Sequence, residues 1–173
     1  MSKLVTARLQ LRPLGPDDET FYCRLYCDPA LMRHVGAALT GDAALRSFHT
    51  ARRSMEQSPP RRHLWVLVEQ DSNLDVGLLG LECAGVSAEV GALVEASHQD
   101  RGYAAEAIAA IAGHAFLALG LTLLHTRHDA GNGGAAGLMR KLGFALISPP
   151  GATHCRWQLT EGHWRASRIA MPG

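Results

Sequence analysis

The chain has 173 residues, the length of one ordinary domain, and its 47% hydrophobic content supports a packed core and excludes wholesale disorder. Seventeen Lys and Arg against sixteen Asp and Glu leave a formal charge of +1, so the overall charge drives the chain toward neither nucleic acid nor an anionic membrane. The most apolar stretch, 104–124, is interrupted by Glu106, His114 and two glycines, which argues against a membrane span. The start, MSKLVTARLQLRP, lacks the apolar run of a signal peptide, so the expectation is a cytoplasmic protein. Four cysteines without a CxxC pair and nine histidines without an HExxH offer no metal-ligand spacing. No metal is expected, and the cysteines read as small buried side chains.

Residues 5–12 alternate, Leu9 and Leu11 against Arg8, Gln10 and Arg12, which is the period-two mark of a half-buried strand ended by Pro13. Asp17 or Asp18 caps a helix through Cys27, with Phe21, Tyr22 and Leu25 facing inward. Asp28-Pro29 begins a second short helix carrying Leu31, Met32 and Val35 and closed by Gly36. Thr40 or Asp42 starts a third, more polar helix over 40–57, stopped before Pro59-Pro60. From His63 the period changes. Strands over 64–68, 76–83 and 86–94, joined by the polar turn 70–75 and the tight Ala84-Gly85 connection, predict an antiparallel meander. A loop over 95–101 leads into the most apolar helix, 102–119, closed by Gly120. A strand over 121–128, a short helix over 134–142 and a hairpin of 144–147 with 155–159 complete the chain. The order βαα, βββ, α, β, α, ββ predicts one mixed α/β domain over 1–173, with a mostly antiparallel sheet and one parallel crossover through the apolar helix.

The informative stretch is Gln99-Asp100-Arg101-Gly102-Tyr103-Ala104-Ala105-Glu106, between a strand and the start of a helix. A helix N-terminus leaves about four amides unpaired and carries roughly half a positive charge, so a glycine here lets the backbone close around a phosphate. Arg101 adds a cation. Alone, the pattern fits an ordinary strand-to-helix turn equally well.

Gln99-x-x-Gly102-x-Ala104 resembles the (Arg/Gln)-x-x-Gly-x-(Gly/Ala) pyrophosphate loop of the GNAT superfamily of acyl-CoA-dependent N-acetyltransferases. Three further stretches are similar to the branch that includes the ribosomal-protein N-terminal acetyltransferases. They are Thr6-Ala7-Arg8-Leu9-Gln10-Leu11-Arg12-Pro13 with Asp28-Pro29 and Met32-Arg33; Glu89-Val90-Gly91 ten residues before the loop; and Asn132 followed by Lys141-Leu142-Gly143-Phe144, with Leu159-Thr160 and Trp164. The resemblance spans nearly the whole chain. It implies the GNAT fold, a sheet splayed at a cofactor cleft, and acetyl-CoA as cofactor. The strand through Ala92, Leu93 and Val94 would offer backbone groups to the pantetheine arm. Gln99, Asp100, Arg101, Gly102, Tyr103, Ala104 and Ala105 would hold the pyrophosphate, and Asn132, with Ala135 close by, would meet the cofactor arm.

Transfer from a thioester requires a neutral amine. An α-amino group with a pKa near ~8 is about 10% free at pH 7 and a lysine near ~10.4 about 0.04%, so a base matters far more for lysine. Glu89 matches the family's strand carboxylate and is the candidate base, with Glu82 and Glu95 as weaker ones and His125 with His128 as a possible relay. Two departures stand out: Met139 where many relatives have a tyrosine acid, and Ala135 where the branch commonly has serine. A leaving thiol with a pKa near ~8.5 departs as a thiolate without much help. Asp100 is a third oddity, because the branch often has glycine there and a carboxylate repels a pyrophosphate unless it points to solvent or pairs with Arg101. The expected function is acetyl-CoA-dependent N-acetylation of a primary amine, either a protein N-terminus or a small molecule, in a homodimer. The alternative is an acyl-CoA-binding protein with little turnover.

Overall fold

The computed structural model describes residues 2–169. Its strands, β1 (Leu4–Val5), β2 (Leu9–Pro13), β3 (Arg62–Glu69), β4 (Asp75–Ala84), β5 (Ser87–Val94), β6 (Leu123–Asp129), β7 (Ala145–Leu146) and β8 (His154–Thr160), form one sheet in the order β1-β2-β3-β4-β5-β6-β8-β7. Every neighbouring pair is antiparallel except β5 and β6. That parallel pair is joined by the apolar helix α4 (Tyr103–Leu117), the crossover expected from the sequence.

Helices α1 (Glu19–Cys27), α2 (Pro29–Met32) and α3 (Gly41–Met55) follow β2, and α5 (Gly133–Lys141) and α6 (Glu161–Ile169) flank the β7–β8 hairpin. Alternation along β3 divides the core between the two faces of the sheet. Leu64, Val66 and Val68 meet Phe21, Leu25 and Phe48 of α1 and α3, while Trp65 and Leu67 join Ala107, Ile111 and Phe116 of α4 on the other side. No described helix is long and apolar enough to cross a membrane.

Two expectations are corrected. The single strand over 5–12 is a hairpin: Thr6 donates its amide to the Leu9 carbonyl at 2.9 Å and its Oγ1 accepts the Leu9 amide at 3.0 Å, turning the chain between β1 and β2. Beyond the last strand lies α6, where no helix is expected from the sequence pattern. It begins where the Thr160 hydroxyl accepts the His163 amide, carries a Glu161–Arg165 ion pair one turn apart, and buries Trp164 against Phe116. The other boundaries move by a few residues at most.

The first hairpin is anchored to α4 through Glu106. Its carboxylate accepts from the Thr6 hydroxyl at 2.6 Å, the Arg8 amide at 2.8 Å and Arg8 Nε at 2.8 Å. Burial alone would raise the Glu106 pKa, but these donors and the Arg8 charge hold it below its ordinary value. Because the folded pKa is depressed, the stabilisation is present above the unfolded value of ~4.3 and is lost as the pH falls through the folded one. Glu106→Ala should therefore cost about 1–3 kcal/mol at pH 7. Thermal melts should show a Tm lower by roughly 2–12 °C, and the gap to the wild type should narrow below about pH 4.

Candidate active site

β4 pairs with β5 along the whole length of β5, from Ser87 to Val94. On the other edge, β5 and β6 are in register only at Ser87 with Leu123, Ala88 with Leu124 and Glu89 with His125. Beyond Glu89 the strands part, β6 following β8 instead as far as Asp129. The backbone groups of 90–94 that point away from β4 therefore meet no neighbouring strand.

A cavity of about 660 Å3 occupies this gap and is lined from both faces of the sheet. Ala104 and Ile108 of α4 with Leu138 and Met139 of α5 line one side, and Tyr22 and Tyr26 of α1 with Arg62 and Glu82 line the other. Gly80 lies directly opposite Gly91; a Cβ on Gly91 would meet nothing within 4 Å, so the floor is open there, whereas a Cβ on Gly80 would lie 2.9 Å from the Leu64 side chain.

Of the predicted cofactor residues, Ala92, Leu93, Ala104, Asn132 and Ala135 line the cavity. Val94, Gln99, Asp100, Arg101, Gly102, Tyr103 and Ala105 do not; Val94 ends β5 and the others lie in the loop before α4 and its first turn. Gln99 anchors that loop by donating Nε2–H to the Val94 carbonyl at 3.0 Å. Asp100 and Gly102 both take positive φ, +59° and +80°, which explains why glycine suits either position. The Asp100 side chain is exposed and has no ion-pair partner among the described residues, so it does not pair with Arg101. Arg8 donates to the Arg101 carbonyl at 2.8 Å, and Tyr103 turns inward to hydrogen-bond Glu69. Glu106 N–H to Gly102 O, 3.1 Å, is the first bond of the helix. The amides of 100–105 find no protein acceptor among the described residues. A helix N-terminus with this many free donors, next to an unpaired strand edge and an open gap, fits the pyrophosphate and extended amide-bearing arm of coenzyme A.

Asn132 is already engaged in part, because its Oδ1 accepts the Ala135 amide at 3.0 Å and caps α5. Its Nδ2 has no protein partner among the described residues. Met139 is buried at the cavity wall, so no hydroxyl enters from α5 at that point.

The carboxylates separate clearly. Glu82 is paired with Arg62 at 2.5 Å, and Glu95 with Arg24 at 2.7 Å. Glu89, exposed at the rim of the cavity, has no ion-pair partner among the described residues, and its cross-strand neighbours are Glu82 on β4 and His125 on β6. His128 is committed elsewhere: the Trp157 indole, which can only donate, gives its N–H to Nε2 at 2.9 Å, leaving Nδ1 to donate to the Asp129 carbonyl at 2.8 Å. A relay through His128 is thus excluded in this arrangement. Tyr26, which no sequence motif singles out, also lines the cavity; its ring stacks on Tyr22 at 4.4 Å, and its hydroxyl keeps its proton well above the usual range because it is buried.

Gly102→Glu would place a carboxylate among the free amides and strain a φ of +80°. Calorimetry should show the Kd for CoA rising about 100-fold or more in a variant that still melts cooperatively.

The GNAT acetyltransferase domain family matches residues 8–145. No curated protein matches the chain in sequence. An acetyltransferase from Agrobacterium tumefaciens superposes with a TM-score of 0.79 at 23% identity, over 93% of this chain and 95% of that one. The spermidine N-acetyltransferase of Vibrio cholerae, solved with CoA and spermine, gives 0.79 at 18% identity over 92% and 99%. A ribosomal L7/L12 α-N-protein acetyltransferase solved with coenzyme A gives 0.78 at 13% over 92% and 98%. With the family match covering most of the chain and the splayed sheet common to the fold, the chain belongs to the GNAT acetyltransferase family.

Proposed function

We propose that this acetyltransferase moves the acetyl group of acetyl-CoA to a primary amine that approaches from the α1–α3 face, with Glu89 accepting the proton of the amine. The observation that carries this reading is a cavity passing between β5 and β6, with an unpaired carboxylate at its rim. Acetyl-CoA supplies an activated acyl thioester. The amides of 100–105 bind its pyrophosphate, Arg101 adds a cation, and the free edge of 90–94 orients the pantetheine arm by strand-like hydrogen bonds. Glu89 removes the proton directly or through one water, which matters most for amines of high pKa. With Ala135 and Met139 lacking hydroxyls, the thiol leaves as a thiolate without a proton from α5.

The test is thiol release from acetyl-CoA with a panel of amines. Glu89→Gln keeps the size of the side chain and removes its basicity. Its kcat should fall about 100-fold or more with CoA affinity nearly unchanged, and an α-amine should lose less than a lysine side chain. The wild-type pH profile of kcat should rise to a plateau with no descending limb below about pH 9. Wild-type turnover by Glu89→Gln with every amine would make Glu89 structural.

A further inference from the structure

On the α1–α3 face, where those helices no longer cover the sheet, a second hollow of about 440 Å3 shares Glu89, Thr126 and Arg127 with the main cavity. Its floor holds an unfavourable arrangement. Arg127 on β6 lies directly opposite Arg156 on β8 in the antiparallel register. Both are exposed, and among the described residues neither side chain has an ion-pair or hydrogen-bond partner, whereas Arg8, Arg12, Arg24 and Arg62 are all paired. Like charges facing each other across a strand pair are destabilising, and guanidinium groups stay charged at any working pH.

The charged groups around them are mixed. Arg33, also without an ion-pair partner among the described residues, lines the adjoining cavity. Glu82 is bound to Arg62, whereas Glu89 lines the same hollow and Asp129, two residues along β6 on the same face, accepts the Gly131 amide at 2.7 Å, and neither carboxylate forms an ion pair with Arg127 or Arg156 among the described residues. Strand side chains alternate, so Arg127 shares its face with His125, and His125 is the register partner of Glu89. Arg127 thus stands one side-chain step beyond His125 on the strand next to the candidate base, and Arg156 one strand farther.

We propose that Arg127 and Arg156 form an anion subsite for the acceptor: the amine substrate carries a carboxylate or phosphate that bridges the two guanidiniums while its nitrogen reaches Glu89. This rests on the acetyl-transfer reading above. A two-residue step along a strand is about 6.7 Å and each strand crossed adds about 4.8 Å, which places the anion several bonds from the nitrogen. Arginine is suited to this because its planar fork binds both oxyanions with paired hydrogen bonds. The same two charges repel a polycation and favour the neutral form of a nearby amine.

The experiment compares kcat/KM, by thiol release, for acceptors differing only in the anion. The peptides Ala-Glu and Ala-Gln, both C-terminally amidated, test a carboxylate; phosphoethanolamine and ethanolamine test a phosphate; spermidine tests a polycation. At least one anionic acceptor should exceed its neutral isostere by about tenfold or more, with spermidine the poorest, and the pair that separates identifies the anion. The ratio should shrink at high salt. It should collapse toward one in Arg127→Gln and Arg156→Gln and recover in part in Arg127→Lys. Because the readout is a ratio within one protein, a variant with reduced overall activity still reports. Neutral acceptors or spermidine used as well as the anionic ones, or a preference surviving in the double Gln variant, would overturn the subsite. So would a ratio that stands while the double variant changes sedimentation mass, since the arginines would then face a second copy. A wild type that releases no thiol above background with any amine of the panel defeats the acetyl-transfer reading and the subsite with it, an outcome distinct from an active enzyme without charge preference.

Discussion

Everything functional in this molecule depends on one interruption of hydrogen bonding, the parting of β5 from β6 after Glu89. Backbone amides and carbonyls without partners are costly when buried, so a sheet opens only where water or a ligand can take the place of the missing strand. Here the opening is held on both sides. β5 is fully paired to β4, and β6 to β8, so neither strand can move across to close the gap. The cavity is therefore a property of strand register, and the missing side chain at Gly91 keeps its floor clear there.

A second level of organisation fixes the start of α4. Glu106, inside the first turns of that helix, is bound by Thr6 and Arg8 from the far edge of the sheet, and Arg8 reaches on to the Arg101 carbonyl. Those contacts use carbonyl and carboxylate acceptors and leave the loop amides unengaged. Anion binding by a helix N-terminus needs donors that are immobile before the ligand arrives, and the anchoring from behind supplies this.

Much of this organisation is legible in local sequence patterns. The alternation of Leu9 and Leu11, the proline after Asp28, the meander from His63 and the glycine at 102 each carry their own physical signal, and the loop motif marks the stretch whose amides stand free. What stays hidden depends on long-range register. Nothing near Arg127 shows that Arg156 will stand opposite it, because β8 enters between β6 and β7 only when the final hairpin folds back. The commitment of His128 to Trp157 is hidden for the same reason. Helix α6 is masked in another way: Thr160 both ends a strand and caps the helix, so the strand pattern covers the cap. Asp100 shows the opposite case, since a residue that looks out of place in the motif occupies a left-handed backbone conformation with its carboxylate exposed.

A gap lined from both faces has a kinetic consequence. If the thioester enters by the α4 face and the amine by the other, each reactant has its own door and neither must depart to admit its partner. Both are then held together when the acyl group moves, and no acylated side chain is needed as a carrier. On that reading the two products can leave in either order, because each returns through the face by which its parent came.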